Sequence, residues 1–296
     1  MVGVSMNIVD TLRCGSDALQ QVGIDEYELD ARLLLEHVLK KTRSQLFLAF
    51  DLHLTEEQFL QYRLLVQRRE KREPVAYILG EQEFWSLTFL VTPDVLIPRP
   101  ETEFLLEQVF SQTNKDNFSR GRILDLCCGS GVIATVLAKE TGKRIIASDV
   151  STKALDVSRR NIISHAVHDK VQLVQSDLLS AFTNTGQFSL VVSNPPYVSN
   201  IDVDNNLAPE VCDYEPHLAL DGGLRGLEII ALIREQLVHA LLPGGELFME
   251  IGADQGQEVV AMFAANANSS KEFKTVQVIK DYTGRDRVIH AIKSEG

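Results

Sequence analysis

From Arg122 onward, short apolar runs alternate with longer amphipathic ones, and this alternation limits the possible folds more than any other feature of the chain. Strands are expected at residues 123–126, 144–148, 171–174 and 190–193, with helices at 132–139 and 153–164 between them. Repeated strand–helix units imply a mainly parallel sheet covered on both faces. A helix is expected at 227–240, then a turn at Pro243-Gly244-Gly245 into a strand at 246–251. A helix at 257–264 and strands at 273–279 and 287–292 close the chain. Only Lys280 to Asp286 separate the last two strands, too few for a parallel crossover, so they should pair antiparallel.

The first 80 residues follow a helical period instead. An apolar stripe at Leu29, Leu33, Leu34, Val38 and Leu39 runs through residues 25–48. Thr55 and Gln58 have the spacing of a capping box, and the helix they open is stopped by Pro74. Phe84, Leu87, Phe89, Val91, Val95 and Ile97 then suggest short strands, with a hairpin turn near Thr92-Pro93-Asp94. The division expected is a helical domain at 1–80, a hairpin and linker at 81–103, and a second domain at 104–296. Residues 81–296 hold 29 acidic and 19 basic side chains, a net of −10, which argues against tight binding to long nucleic acid. The four cysteines have neither CxxC spacing nor a disulfide framework, which fits a reducing, cytoplasmic setting. No signal-peptide core opens the chain and no apolar run is long enough for a bilayer. His165 and His168 lack a third partner, so no metal site is expected.

Ile123 to Gly131 reads as a strand, a tight turn and a helix start. Gly129 and Gly131 allow close backbone approach, as in turns that cradle a nucleotide-like cofactor at the carboxyl edge of a sheet. The same Gly-x-Gly also occurs in ordinary tight turns. No Gly-Lys-Ser or Gly-Lys-Thr follows, so this is not a phosphate loop. Asp149 ends the next strand, where it suits either ribose hydroxyls or the cap of the following helix. Asp177, after the third strand, suits either an adenine or a turn. These features alone do not separate NAD from S-adenosylmethionine.

Ser193-Asn194-Pro195-Pro196-Tyr197 follows the fourth strand. Pro195 and Pro196 lack amide donors and restrain the backbone, while Asn194 adds a side-chain carbonyl. Two such acceptors can grip both hydrogens of a planar NH2 group, with Tyr197 covering its flat face. Asn-Pro also begins ordinary turns.

Asn194 to Tyr197 resembles the motif of S-adenosylmethionine-dependent amino-methyltransferases. The chain as a whole resembles the bacterial release-factor glutamine methyltransferases (the HemK/PrmC family). The resemblance runs through Arg72 to Gly80, Phe84 to Val91, Ile97 to Glu103, Asp125 to Gly131, Asn194 to Tyr197, Tyr214-Glu215-Pro216, Leu220 to Gly223, Glu250 to Gly256 and Gly284 to Arg287. It implies a Rossmann-like α/β fold, a seven-stranded methyltransferase domain preceded by a small helical substrate-recognition domain. It implies S-adenosyl-L-methionine as cofactor, leaving S-adenosyl-L-homocysteine, and peptide-chain release factors as partners. The acceptor would be the glutamine of their Gly-Gly-Gln loop. The enzyme would be a cytoplasmic monomer without a stable nucleic-acid partner, membrane or metal. Cofactor contacts are implied at Asp125, Cys127, Cys128, Gly129, Ser130, Gly131, Asp149, Asp177, Leu178 and Asn194. Substrate contacts are implied at Asn194, Pro195, Pro196 and Tyr197, and catalytic roles at Asn194, Pro195 and Tyr197. Three positions depart from the pattern. Cys127 stands for a glycine, so its backbone is expected to adapt to a β-carbon. Leu178 replaces an aromatic, and Leu224-Arg225-Gly226 replaces an acidic Asp-Gly arrangement.

The difficulty for an amide nucleophile is that its lone pair is shared with its carbonyl. Acceptors at Asn194 and Pro195 would strengthen as positive charge develops on nitrogen, favouring the transition state. A DNA adenine or cytosine methyltransferase could present an amine to the same groups, but it needs base extraction and a basic groove. A methyltransferase-like binding scaffold is the non-enzymatic alternative. Arg99 suits a carboxylate or a structural anchor, Glu101 and Glu103 a channel border or helix caps, and Glu250, at the end of an apolar strand, a structural role ahead of one orienting the Asn194 loop. The long stretch 198–223 reads as an active-site cover, with Glu215-Pro216 ordering it.

Overall fold

The computed structural model describes residues 6–182, 186–264 and 272–295. It divides into two compact units, Met1–Glu81 with Ala208–Tyr214, and Gln82–Leu207 with Glu215–Gly296. No helix among the described residues is long and apolar enough to cross a membrane.

The first unit is helical, with helices Ile8–Gln21, Tyr27–Leu39, Arg43–Leu48, Glu56–Glu70 and Val75–Leu79. The stripe expected over 25–48 is broken. Lys40 takes a left-handed conformation (φ 52°) that ends one helix, and a Thr42–Gln45 capping box opens the next. The Thr55–Gln58 capping box forms as its spacing predicts, each side chain closing on the other's backbone N–H. Leu19, Leu34, Leu35, Tyr62 and Val66 fill the core. Asp30 and Arg69 are buried beside it and pair at 2.7 Å. Arg69 and Arg72 also reach Glu210, at 3.0 and 3.1 Å, and the Tyr214 hydroxyl donates to the Lys71 carbonyl. The segment Ala208–Tyr214 is thus tied into this unit by charge as well as packing.

A hairpin of β1 (Glu81–Phe84) and β2 (Leu87–Leu90) follows. It turns at Trp85-Ser86 and not at Thr92-Pro93-Asp94. Both turn residues have positive φ, 55° and 56°, as a two-residue hairpin turn requires. Neither is a glycine or asparagine, so the sequence carried no signal for it. Glu103 accepts the Trp85 amide and holds the turn.

The second unit is built on seven strands: β3 (Arg122–Leu126), β4 (Ile145–Asp149), β5 (Val171–Gln175), β6 (Phe188–Ser193), β7 (Leu241–Glu250), β8 (Phe273–Lys280) and β9 (Asp286–Lys293). Their order in the sheet is β5-β4-β3-β6-β7-β9-β8. The first five are parallel, and β9 runs antiparallel to both β7 and β8, as the short 280–286 connection requires. Helices Val132–Thr141 and Thr152–Ser164 make the early crossovers, and Glu228–Ala240 leads into β7. Alternate residues of the central strands feed opposite faces. Leu190 and Val192 join one apolar cluster, while Val191 joins the other. All six residues of β6 are buried, which explains why it reads as an apolar run. Pro243-Gly244-Gly245 does not end before the strand as expected. It lies within β7, where the pairing with β6 shifts register between Phe188 and Leu190.

Candidate active site

A cleft of about 300 Å³ opens in the second unit at the carboxyl ends of β3, β4, β5 and β6. Here the connections leave β3 toward β4 on one side while β6 lies on the other, the point where an open α/β sheet splays its loops apart. Its walls include Cys127, Cys128, Gly129 and Ser130 after β3, Asp149 at the end of β4, Asp177 and Leu178 after β5, and Asn194 and Pro196 after β6. Four separate sequence motifs therefore meet at one crevice.

The turn after β3 is held from several sides. Cys127 keeps a left-handed φ of 62°, so the backbone does not adapt to its β-carbon as expected. That conformation costs an L-residue roughly 1–2 kcal/mol. The surrounding bonds impose it: the Cys128 amide donates to the Ser148 carbonyl, and the Gly131 amide closes on the Cys128 carbonyl. Gly131 has φ 79°, and a Cβ there would stand 2.2 Å from Ser158 Oγ, so only glycine lets the turn approach helix Thr152–Ser164. From that helix, Asn161 Nδ2 donates to the Ser130 carbonyl at 2.9 Å, while its Oδ1 and Nδ2 pair with the Leu90 backbone. Asp125 and Gly131 lie behind the wall and not on it. Asp125 is fully buried, and its Oδ2 accepts the Ala134 amide at 2.9 Å.

Asp149 accepts the Gly129 amide on Oδ2 and the Ser151 amide on Oδ1, both at 2.9 Å. It braces the glycine turn and faces the cleft, but it does not cap the following helix: Ser151 does, accepting the Ala154 amide on its hydroxyl. Burial pushes its carboxyl up, against the pull of those amide bonds. Burial also pushes both the Cys127 and Cys128 thiols up, which keeps them protonated and poor nucleophiles. Leu178 presents an apolar surface, and Asp177 is exposed.

The Asn-Pro-Pro-Tyr segment is fixed from behind. Asn194 Nδ2 donates to Thr102 Oγ1 at 2.9 Å, and Thr102 Oγ1 donates to Glu250 Oε2 at 2.8 Å. The Tyr197 hydroxyl donates to Glu250 Oε1 at 2.9 Å. Glu250 is 1% exposed, and burial raises its carboxyl above the usual range. Gln255 Nε2 holds the Tyr197 and Gly226 carbonyls. Pro195 is buried, and neither it nor Tyr197 forms part of the cleft wall, whereas Asn194 and Pro196 do.

The PrmC N-terminal domain matches residues 10–80, and the methyltransferase small domain matches residues 100–228. The release factor glutamine methyltransferase of Clostridium botulinum is 38% identical over 290 residues, covering 97% of this chain and 100% of its own length. That of Caulobacter vibrioides is 35% identical over 293 residues, 98% of each chain. The chain belongs to the release factor glutamine methyltransferase family. It is a methyltransferase, with the seven-stranded Rossmann-like domain and N-terminal helical region of that family. A methyltransferase structure from Pyrococcus furiosus shares the fold, with a TM-score of 0.51 at 16% identity over 79% of this chain and 98% of that one.

Several residues of the methyltransferase cleft were not singled out in the sequence as part of it. Asp94, Pro98, Thr102, Leu218, Ala219 and Asp221 all line it. Pro98 and Thr102 fall inside the Ile97–Glu103 motif and Asp221 inside Leu220–Gly223, so motif membership was the available signal. Arg99 also lines the cleft, but its guanidinium is bound to Glu215, a buried carboxylate that accepts the Ile97 amide as well. That pair orders the 215–221 stretch along the cleft wall. Glu101 and Glu103 are not on the wall. Among the described residues no cluster of histidine, cysteine or carboxylates could hold a metal.

Proposed function

We propose that this methyltransferase transfers a methyl group from S-adenosyl-L-methionine to the side-chain amide nitrogen of the glutamine in the Gly-Gly-Gln loop of release factors. One observation carries the reading: the glycine turn after β3 and the Asn194 loop after β6 stand on directly paired strands and open into the same crevice. The residues present suit the cofactor. A Cβ at Gly129 would meet no atom within 4 Å, leaving backbone open to a ligand, and Asp149 and Asp177 supply acceptors for its hydroxyls and adenine beside apolar Leu178. When bound, the cofactor supplies an electrophilic sulfonium methyl.

The chain's own groups then address the weak nucleophile. Asn194 Oδ1 and the Pro195 carbonyl accept the two N–H bonds of the glutamine amide. As positive charge grows on nitrogen, these bonds become charge-assisted, each contributing about 1.5–3 kcal/mol. Holding the amide in line with the methyl adds an entropic advantage. The proton leaves after the nitrogen has become cationic, so no carboxylate base is assigned. Tyr197, off the cleft wall with its hydroxyl on Glu250, braces the Asn194 loop from behind.

The helical unit docks the release factor. It exposes Phe47 at 80% and Leu48 at 81%, with Phe50 nearby in sequence, and such apolar exposure supports contact through shape more than charge. The net charge of residues 81–296 supports a protein acceptor over duplex DNA. The enzyme acts as a monomer in the cytoplasm. The test is incubation with labelled S-adenosylmethionine and four acceptors: release factor, its Gln-to-Ala loop mutant, duplex DNA and no acceptor. Label confined to the intact release factor is expected. Label on DNA, or equal label on the loop mutant, overturns the reading.

A further inference from the structure

We propose that Thr102 and Glu250 decide which way round the Asn194 amide sits, so that the cleft is offered an acceptor and not a donor. Thr102 and Glu250 act as positioning residues, and the proposal rests on the glutamine-methylation reading above.

An asparagine amide has nearly the same shape after a half-turn about its last bond, so packing alone does not choose between C=O and NH2. Hydrogen bonding does. Glu250 as a carboxylate can only accept. The Thr102 hydroxyl has one proton, and it gives that proton to Glu250 Oε2 at 2.8 Å. Toward Asn194 the same oxygen can then only accept, and it takes Nδ2 at 2.9 Å. The carbonyl end is the one left to the cleft that Asn194 lines. Thr102 is 3% exposed and Glu250 1% exposed, so water does not compete for these bonds. The other oxygen of Glu250 takes the Tyr197 proton, so one buried carboxylate sets the two polar side chains of the Asn-Pro-Pro-Tyr segment. A half-turn of Asn194 would set two acceptors against each other at Thr102 and point a donor at the substrate NH2.

The consequence is selectivity as well as rate. A site that presents acceptors grips an amide NH2 and repels a carboxylate. Thr102→Val removes the hydroxyl and frees the amide to turn, whereas Thr102→Ser keeps the relay.

The test uses the full-length wild type, T102V and T102S with intact release factor. Two inhibitors are added, release factors whose loop glutamine is replaced by glutamate or by alanine. T102V is expected to lose about tenfold or more in kcat while KM and S-adenosylhomocysteine affinity stay within about threefold, and T102S is expected to recover to within about threefold of wild type. Relative to the alanine form, the glutamate form should inhibit T102V about fivefold better than it inhibits wild type. A merely structural role would move both inhibitors together. A T102V kcat within threefold of wild type, a loss that T102S does not repair, or an unchanged inhibitor ratio overturns the proposal. If T102V does not fold, E250Q decides by the same ratio, because a glutamine can donate to Thr102 and reverse the relay; an unchanged ratio there is equally fatal. A wild-type chain that leaves release factor unlabelled overturns the substrate reading itself, and the orientation proposal with it.

Discussion

Asp125, beneath the glycine turn, gives a direct test of the electrostatics of the site. It is fully buried, Oδ2 accepts the Ala134 amide, and Oδ1 has no hydrogen-bond partner among the described residues. Burial raises its carboxyl to about 8, the Ala134 bond opposing and the Asp149 charge assisting. In the unfolded chain the same group titrates near 3.8. Between these values the folded protein holds a proton that the unfolded chain has released, so its contribution to stability is full below about pH 4 and is lost as pH rises through about 8. The slope is about 1.4 kcal/mol per pH unit. Asp125→Asn keeps an acceptor for the Ala134 amide and abolishes the titration. Between about pH 5 and pH 7 the stability difference should therefore move by about 3 kcal/mol in favour of D125N. Urea unfolding of both proteins at several pH values measures it. A difference that moves by less than about 1 kcal/mol over that range would mean Asp125 is ionised in the fold, and the argument from its burial would fail.

Arg69→Ala leaves Asp30 buried and unpaired and should cost about 3–5 kcal/mol in denaturant unfolding, with faster amide exchange in Ala208–Tyr214. Exchange rates there that match wild type would refute the tie through Glu210. Cys127→Gly relieves the left-handed strain at the cost of unfolded-state entropy, so stability should rise by up to about 1 kcal/mol; a clear loss would show the position is unstrained. Asn194→Ala should lower turnover at least about a hundredfold while calorimetry finds cofactor affinity little changed. The double substitution F47S/L48S should raise KM for release factor with kcat intact, and an unchanged KM would remove that surface from the docking site.

The parallel sheet was legible because its central strands are buried on both faces and so read as apolar runs, and the antiparallel pair because seven residues cannot make a crossover. Gly129 and Asn194 pointed to the crevice because each follows a strand whose carboxyl end opens into it. What stayed hidden depends on distant partners. The Trp85-Ser86 turn is held by Glu103 and not by its own residue types. Thr102 looks like an ordinary helix residue until Asn194 and Glu250, far along the chain, close around its hydroxyl. Cys127 was expected to bend the backbone to suit itself, but the bonds from Cys128 and Gly131 outweigh its preference.

The pairing of β3 with β6 has a consequence for evolution. Neighbouring strands are about 4.8 Å apart because backbone amides fix that spacing. The loop that would receive the methyl donor and the loop that would receive its target each hang from one of these two strands. Their separation is thus a property of the peptide ladder, insensitive to which side chains cover the sheet. Helices and surface segments can diverge to suit new clients while the gap a methyl group must cross stays the same.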